Sequence, residues 1–275
     1  MDKIQNYEEL KSVISRLRKS GGKVSSNCYY FPQLIKEKIE EGNLRYEIKE
    51  NGVILFEKFN SFEKIMMYVN SDFKPEDLSA EKGTICDIIF TDSKAPDEVI
   101  VNILEKAGFI KLAVNLEMRK SEFEFSEIKP SDGKVFVSGE KDVDRAEDVS
   151  ALWKRCFDDT EIDFPSIEET REFIRDGYVV MASDESGKTA GCVLISQISN
   201  RTCYLRHICT SSEARGKGYA REILKCVFNL NEKMSFDKVV LHVNINNKPA
   251  ISLYTKTGFT FPDKKIIEYI KKEGK

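Results

Sequence analysis

The stretch SSEARGKGYARE, residues 211–222, sets Arg215, Lys217 and Arg221 around Gly216 and Gly218. It falls where an apolar strand, CYLRHICT, gives way to a helical pattern with Ile223, Leu224, Val227 and Phe228 on one face. Cations are misplaced at the start of a helix, where the dipole is already positive. They make sense there if an anion occupies the loop. A strand, a short glycine loop and a helix together bring unsatisfied backbone N–H groups to one point, and phosphate is the usual guest. The two glycines let the backbone approach that guest closely. No GxxxxGK[ST] run is present, and a GxGxxG fingerprint would need glycine at position 221, which is arginine. Taken alone, the loop is also compatible with a basic surface turn that caps a helix.

The 275 residues allow two domains or one enlarged domain. Lys and Arg number 43 against 46 Asp and Glu, so the formal net charge of −3 offers no broad basic surface for nucleic acid. No apolar run approaches the roughly 20 residues of a membrane span, and the charged, amphipathic N-terminus lacks the apolar core of a signal peptide. Cys28, Cys86, Cys156, Cys192, Cys203, Cys209 and Cys226 form no CxxC pair and no metal-like cluster. Scattered through apolar segments, they read as reduced core thiols of a cytoplasmic protein without a structural metal.

Residues 121–134, SEFEFSEIKPSDGK, are polar and acidic with a proline and a glycine. They mark a linker between a domain at 1–120 and a domain at 135–275. In the first domain, Leu10, Val13, Ile14 and Leu17 recur at helical spacing within 7–19, and 34–41 is a second helix. Residues 44–59 read as a hairpin turned at Asn51-Gly52. Strands at 64–69, 84–90 and 109–119 follow, with a helix at 97–106 closed by Gly108. The second domain begins with a strand at 134–140 and helices at 143–157 and 167–175. A hairpin over 178–198, the strand 203–210, a helix at 218–232 and a strand at 238–244 come next. A helix at 249–257 and a last strand or strand pair within 259–272 complete it.

Two segments carry a family resemblance. RGKGYA, residues 215–220, resembles the Arg/Gln-x-x-Gly-x-Gly/Ala pyrophosphate loop of the GNAT superfamily, the Gcn5-related N-acetyltransferases. NINNKPAISLYTKTGF, residues 244–259, resembles the second signature of that family, with Asn247, Ala250, Leu253, Tyr254, Gly258 and Phe259 in the matching positions. The order and spacing agree, and the resemblance covers about 134–275. It implies an α/β (α+β) fold: a mixed, mostly antiparallel central sheet flanked by helices, beside a smaller N-terminal α/β domain. It also implies that acetyl-CoA is the co-substrate, with no metal, and that the acetyl group passes directly to a primary amine.

By the same resemblance, the backbone of Ile208, Cys209 and Thr210 pairs with the pantetheine arm. The pyrophosphate lies on Arg215, Gly216, Lys217, Gly218, Tyr219, Ala220 and Arg221. Asn247 touches the arm, and Tyr254 protonates the departing thiolate. Glu213 stands where the family usually has proline, and Ala220 replaces the commoner glycine. The implied acceptor is a small-molecule or peptide amine, with neither nucleic acid nor membrane as partner; a homodimer stays open. A non-catalytic acyl-CoA sensor using the same loop is the rival reading, and an interaction protein with a decayed site is a third.

These residue types suit the chemistry. Attack on a thioester needs a neutral amine, an oriented carbonyl and an acid near the sulfur. A phenol of pKa about 10 is a workable donor to a thiolate. The chain has two histidines, His207 and His242. In several N-terminal acetyltransferases of the family the general base occupies the strand position of His242, which is expected to face the side where Tyr254 projects. A structural histidine is the equal alternative. His207 alternates out of phase with Tyr204 and Arg206, which leaves those two to line the acceptor side.

The first half echoes the second. Residues 101–120, like 250–269, form a helix closed by Gly-Phe and followed by a strand. No RxxGxG loop precedes it, and a helix and a strand of the fold are missing. This half is expected to be a degenerate GNAT-like domain, or a small α/β domain that converged on the pattern. Either way it lacks the means to hold a pyrophosphate, and a binding or capping role follows.

Overall fold

Apolar periodicity becomes packing in α1 (Tyr7–Gly21), where Leu10, Val13 and Leu17 are buried on one face. The chain continues through β1 (Ser25–Ser26), α2 (Pro32–Glu40), β2 (Leu44–Lys49), β3 (Gly52–Lys58), β4 (Glu63–Val69), β5 (Ile85–Phe90), α3 (Glu98–Lys106) and β6 (Phe109–Lys120). Then come β7 (Val135–Val137), α4 (Ala146–Cys156), α5 (Ile167–Arg175), β8 (Val179–Ser183), β9 (Thr189–Ser199) and β10 (Thr202–Thr210). α6 (Tyr219–Phe228), α7 (Asn231–Met234), β11 (Lys238–Asn244), α8 (Lys248–Lys256) and β12 (Lys265–Lys271) complete the order. This computed structural model describes residues 6–21, 23–60, 62–123, 135–157 and 164–272. The linker expected at 121–134 lies outside them beyond residue 123. Among the described residues, no helix is long and apolar enough to cross a membrane.

The chain divides into two compact units, Met1–Asn115 with Asp263–Lys275, and Leu116–Pro262. In the first, the strand order is β2-β3-β4-β5-β12-β6. Ile100, Ile103 and Leu104 of α3 cover one face with Ile54, Ile65, Met67 and Ile88. Leu10, Val13, Leu17 and Ile35 of α1 and α2 cover the other with Val53, Leu55 and Met66. Alternate strand residues therefore serve opposite cores. The second unit repeats the plan with the order β6-β11-β10-β9-β8-β7. α6 and α8 pack on Val180, Val193, Leu205 and Leu241. Val149, Leu152, Trp153 and Ile174 of α4 and α5 pack on Val179, Met181, Cys192 and Leu194. Both sheets are mixed and mostly antiparallel, as the fold class expected.

Three expectations are corrected here. β12, read as the close of the second half, pairs with β5 from Lys265↔Phe90 to Ile270↔Ile85 and so lies in the first unit. Gly52 is not a left-handed turn residue: it opens β3 opposite Lys49, and a Cβ there would sit 2.6 Å from the Phe73 ring. Glycine is required at that position for close packing. The helix expected over 218–232 stops at Phe228, Leu230 turns into the core, and α7 is a separate turn closed by Ser235 at φ 57°.

Candidate active site

The site follows from the shape of β10. Against β9, it pairs Arg206 with Leu194 and then Cys209 with Cys192, three residues against two. The extra residue is a bulge, and His207 within it has φ 53°, uncommon for a non-glycine residue. A bulge bends its strand and ends local pairing. On the other side, β10 and β11 are parallel only from Thr202↔Lys238 to Leu205↔Leu241, although β10 runs to Thr210 and β11 to Asn244. Beyond that point the strands part. The edge of Ile208, Cys209 and Thr210 that would face β11 pairs with no described strand.

The opened edge leads straight into the glycine loop. A 3-10 turn at Ser212–Ala214 follows Thr210, then Gly216 at φ 77° and Gly218 at φ 88° carry the chain into α6. No side chain caps α6, whose cap position is Gly218 itself. The N–H of Lys217 donates to the Ala214 carbonyl at 3.3 Å. The N–H groups of Gly216, Gly218, Tyr219, Ala220 and Arg221 meet no acceptor among the described residues. Arg215, Lys217 and Arg221 are exposed and form no ion pair among the described residues. Free N–H groups, unpaired cations and open space beside both glycines fit a diphosphate, and the unpaired strand edge fits the amide-bearing arm of a coenzyme A thioester.

Tyr254 reaches this opening from α8. It is 6% exposed, its ring packs 5.7 Å from that of Phe259, and its hydroxyl has no hydrogen-bond partner among the described residues. Burial, and secondarily the nearby Cys209 thiol, hold its phenol above the ordinary range. Tyr254 and Cys209 are thus brought together where β10 and β11 part. Behind the same strand end, the Cys156 thiol donates to the Thr210 carbonyl at 3.6 Å, and the Cys192 and Cys209 sulfurs lie 3.8 Å apart. Asn247 sits at the cap of α8, where its Oδ1 accepts from the Ala250 N–H at 3.2 Å. Its Nδ2 has no partner among the described residues.

His242 follows directly on the last residue of β11 that pairs with β10. Leu241 and Val243 point into the core that holds Tyr254, so His242 projects from the opposite face of the sheet. This corrects the expectation that it shares Tyr254's side. Its Nε2 lies 3.6 Å from Oε2 of Glu117 on β6, a carboxylate only 4% exposed that also pairs with the Arg119 guanidinium. Sequence reasoning passed over Glu117, although a charged residue between the apolar Leu116 and Met118 was the available signal. His207 departs from strand alternation because of its bulge. Instead of joining Cys203 and Leu205, it is buried beside the Trp153, Phe157 and Phe164 rings, at 5.1, 6.0 and 5.2 Å.

Residues 146–259 match the acetyltransferase (GNAT) family. They form a GNAT domain. A chloroplastic GCN5-related N-acetyltransferase 6 of Arabidopsis thaliana is 34% identical over 77 residues, 28% of this chain and 25% of that protein. An uncharacterized N-acetyltransferase of Schizosaccharomyces pombe is 27% identical over 84 residues, 30% of this chain and 52% of that protein. The chain therefore matches about a quarter and about half of these curated relatives' lengths. A GCN5-related N-acetyltransferase from Sphaerobacter thermophilus shares the fold over 94% of this chain and 90% of its own, at 14% identity and a TM-score of 0.60. That likeness extends the GNAT fold to the first unit.

Proposed function

We propose that the second unit transfers the acetyl group of acetyl-CoA to a primary amine. The observation that carries this is the unpaired edge of Ile208, Cys209 and Thr210 running into five free N–H groups at Gly216 and Gly218 to Arg221. The strand edge holds the pantetheine arm, and the loop with Arg215, Lys217 and Arg221 holds the diphosphate. Asn247 offers Nδ2 to the arm. Acetyl-CoA supplies the acetyl group already activated as a thioester.

The residues around the opening supply the proton transfers. His242, exposed on the face away from the α6 and α8 core, accepts a proton from the incoming ammonium, directly or through a water. Glu117 stands behind the imidazole and fixes its orientation. Tyr254 delivers a proton to the departing sulfur. Its burial keeps the phenol neutral and therefore a donor throughout the physiological range. A panel of primary amines with acetyl-CoA tests this reading by free-thiol release. Amine-dependent release with a mass gain of one acetyl group on the amine supports it. Binding of acetyl-CoA without thiol release under every amine would make the domain a sensor instead.

A further inference from the structure

The first unit contains the same opening, and the chain itself fills it. β4 and β5 are parallel neighbours, as β10 and β11 are, and they pair only at Lys64↔Ile85 and Ile65↔Cys86. β4 continues to Val69 and β5 to Phe90, so these strands also part. β3 occupies the far edge of β4 along its whole length, from Gly52↔Val69 to Lys58↔Glu63. β1 must therefore lie on the edge that β5 abandons, and it pairs Ser25 with Val69 and Ser26 with Tyr68. The next residue, Asn27, is 7% exposed and closes the gap with its side chain. Its Nδ2 donates to the Ile65 carbonyl of β4 at 3.3 Å and to the Asp87 carbonyl of β5 at 2.9 Å. Its Oδ1 accepts from the Met67 N–H at 2.8 Å.

A side-chain amide has the donor and acceptor of a peptide unit. Asn27 thus satisfies on β4 and β5 the backbone groups that strand pairing leaves exposed, which would otherwise be buried without partners. In the second unit the corresponding edge pairs with no strand among the described residues. The helix that brings free N–H groups to that edge is also absent here. Residues 70–84, between β4 and β5, form one 3-10 turn at Pro75–Asp77, and its first turn carries Glu76 and Asp77.

We infer that residues 25–27 are a built-in plug: they occupy in the first unit the slot that takes the pantetheine arm in the second. The chain then holds one acetyl-CoA, whatever amine it acetylates. The stoichiometry rests on the acetyl-CoA reading of the second unit; the plug does not. Two measurements on the full chain separate them. Calorimetric titration with acetyl-CoA should give one site per chain, and the Asn27→Ala variant should keep that number while unfolding at lower temperature. Hydrogen exchange should find the Met67 amide among the slowly exchanging protons of the wild type and fast in Asn27→Ala. Two sites per chain, or a Met67 amide that exchanges freely in the wild type, overturns the plug. If the wild type takes up no acetyl-CoA, the acetyltransferase reading fails and the Met67 amide alone decides the plug.

Discussion

In the proposed mechanism Tyr254 and His242 act from two faces of one sheet, and each can be removed separately. Tyr254→Phe keeps the buried ring and removes one oxygen, so acetyl-CoA affinity should persist while kcat falls. Equal turnover in stopped assays of variant and parent would take Tyr254 out of the reaction. His242→Ala should slow the chemical step by about 10² to 10⁴, the usual contribution of a general base. Glu117→Gln should slow it in the same direction by less. In the His242→Ala background it should have no further effect, because it acts through the imidazole it faces at 3.6 Å. Additive losses in that double-variant cycle would give Glu117 a purely structural role. Tyr254 was legible in the sequence because its neighbours Asn247, Gly258 and Phe259 fix its register. The side chosen for His242 was not, since alternation settles a face only once the core on each side is known.

At the scale of elements, a bulge and a loop shape the candidate site. The strand-to-helix position of the loop could be read from the sequence, since Gly216 and Gly218 separate an apolar strand from a helical pattern. The bulge could not, because one extra residue in CYLRHICT leaves the apolar pattern intact. It appears only in the register against β9, and it also moved His207 to the Trp153 side. The plug of the first unit was equally hidden, since a two-residue strand and one asparagine carry no periodicity. Gly218→Val places a branched side chain at φ 88° and fills the space where a diphosphate would lie. Acetyl-CoA at about 100 times Kd should add about 2.7 kcal/mol to the parent's stability by mass action. The variant should show no such rise in Tm, and an undiminished shift would mean that the ligand sits elsewhere.

At the scale of the whole molecule, the cysteines are unpaired and either buried or partly buried among the described residues. Burial raises Cys28, Cys86, Cys203 and Cys226 above the ordinary thiol range, and in the last two to about 12 and about 11. A thiol whose folded pKa exceeds its unfolded value stays protonated in the native chain at a pH where the unfolded chain releases its proton. The native state then binds more protons, so stability is fully present below the ordinary thiol pKa and falls as pH rises through it. Thermal midpoints should be level near pH 7 to 8 and should decline progressively above about 9. A midpoint unchanged up to pH 10.5 would contradict these burials. The apolar run of the last strand fits either sheet in the sequence, and hydrogen bonds with β5 assign it to the first unit.

The claim on which the rest depends is that the free N–H groups at the start of α6 hold the diphosphate of acetyl-CoA. An amide-resolved NMR titration of the full chain with acetyl-CoA tests it directly. The Gly216 and Gly218 to Arg221 amides should shift saturably, together with those of Ile208, Cys209 and Thr210, while the Met67 amide of the plugged slot stays in place. Saturable shifts elsewhere, with the 216–221 amides unmoved, would contradict it.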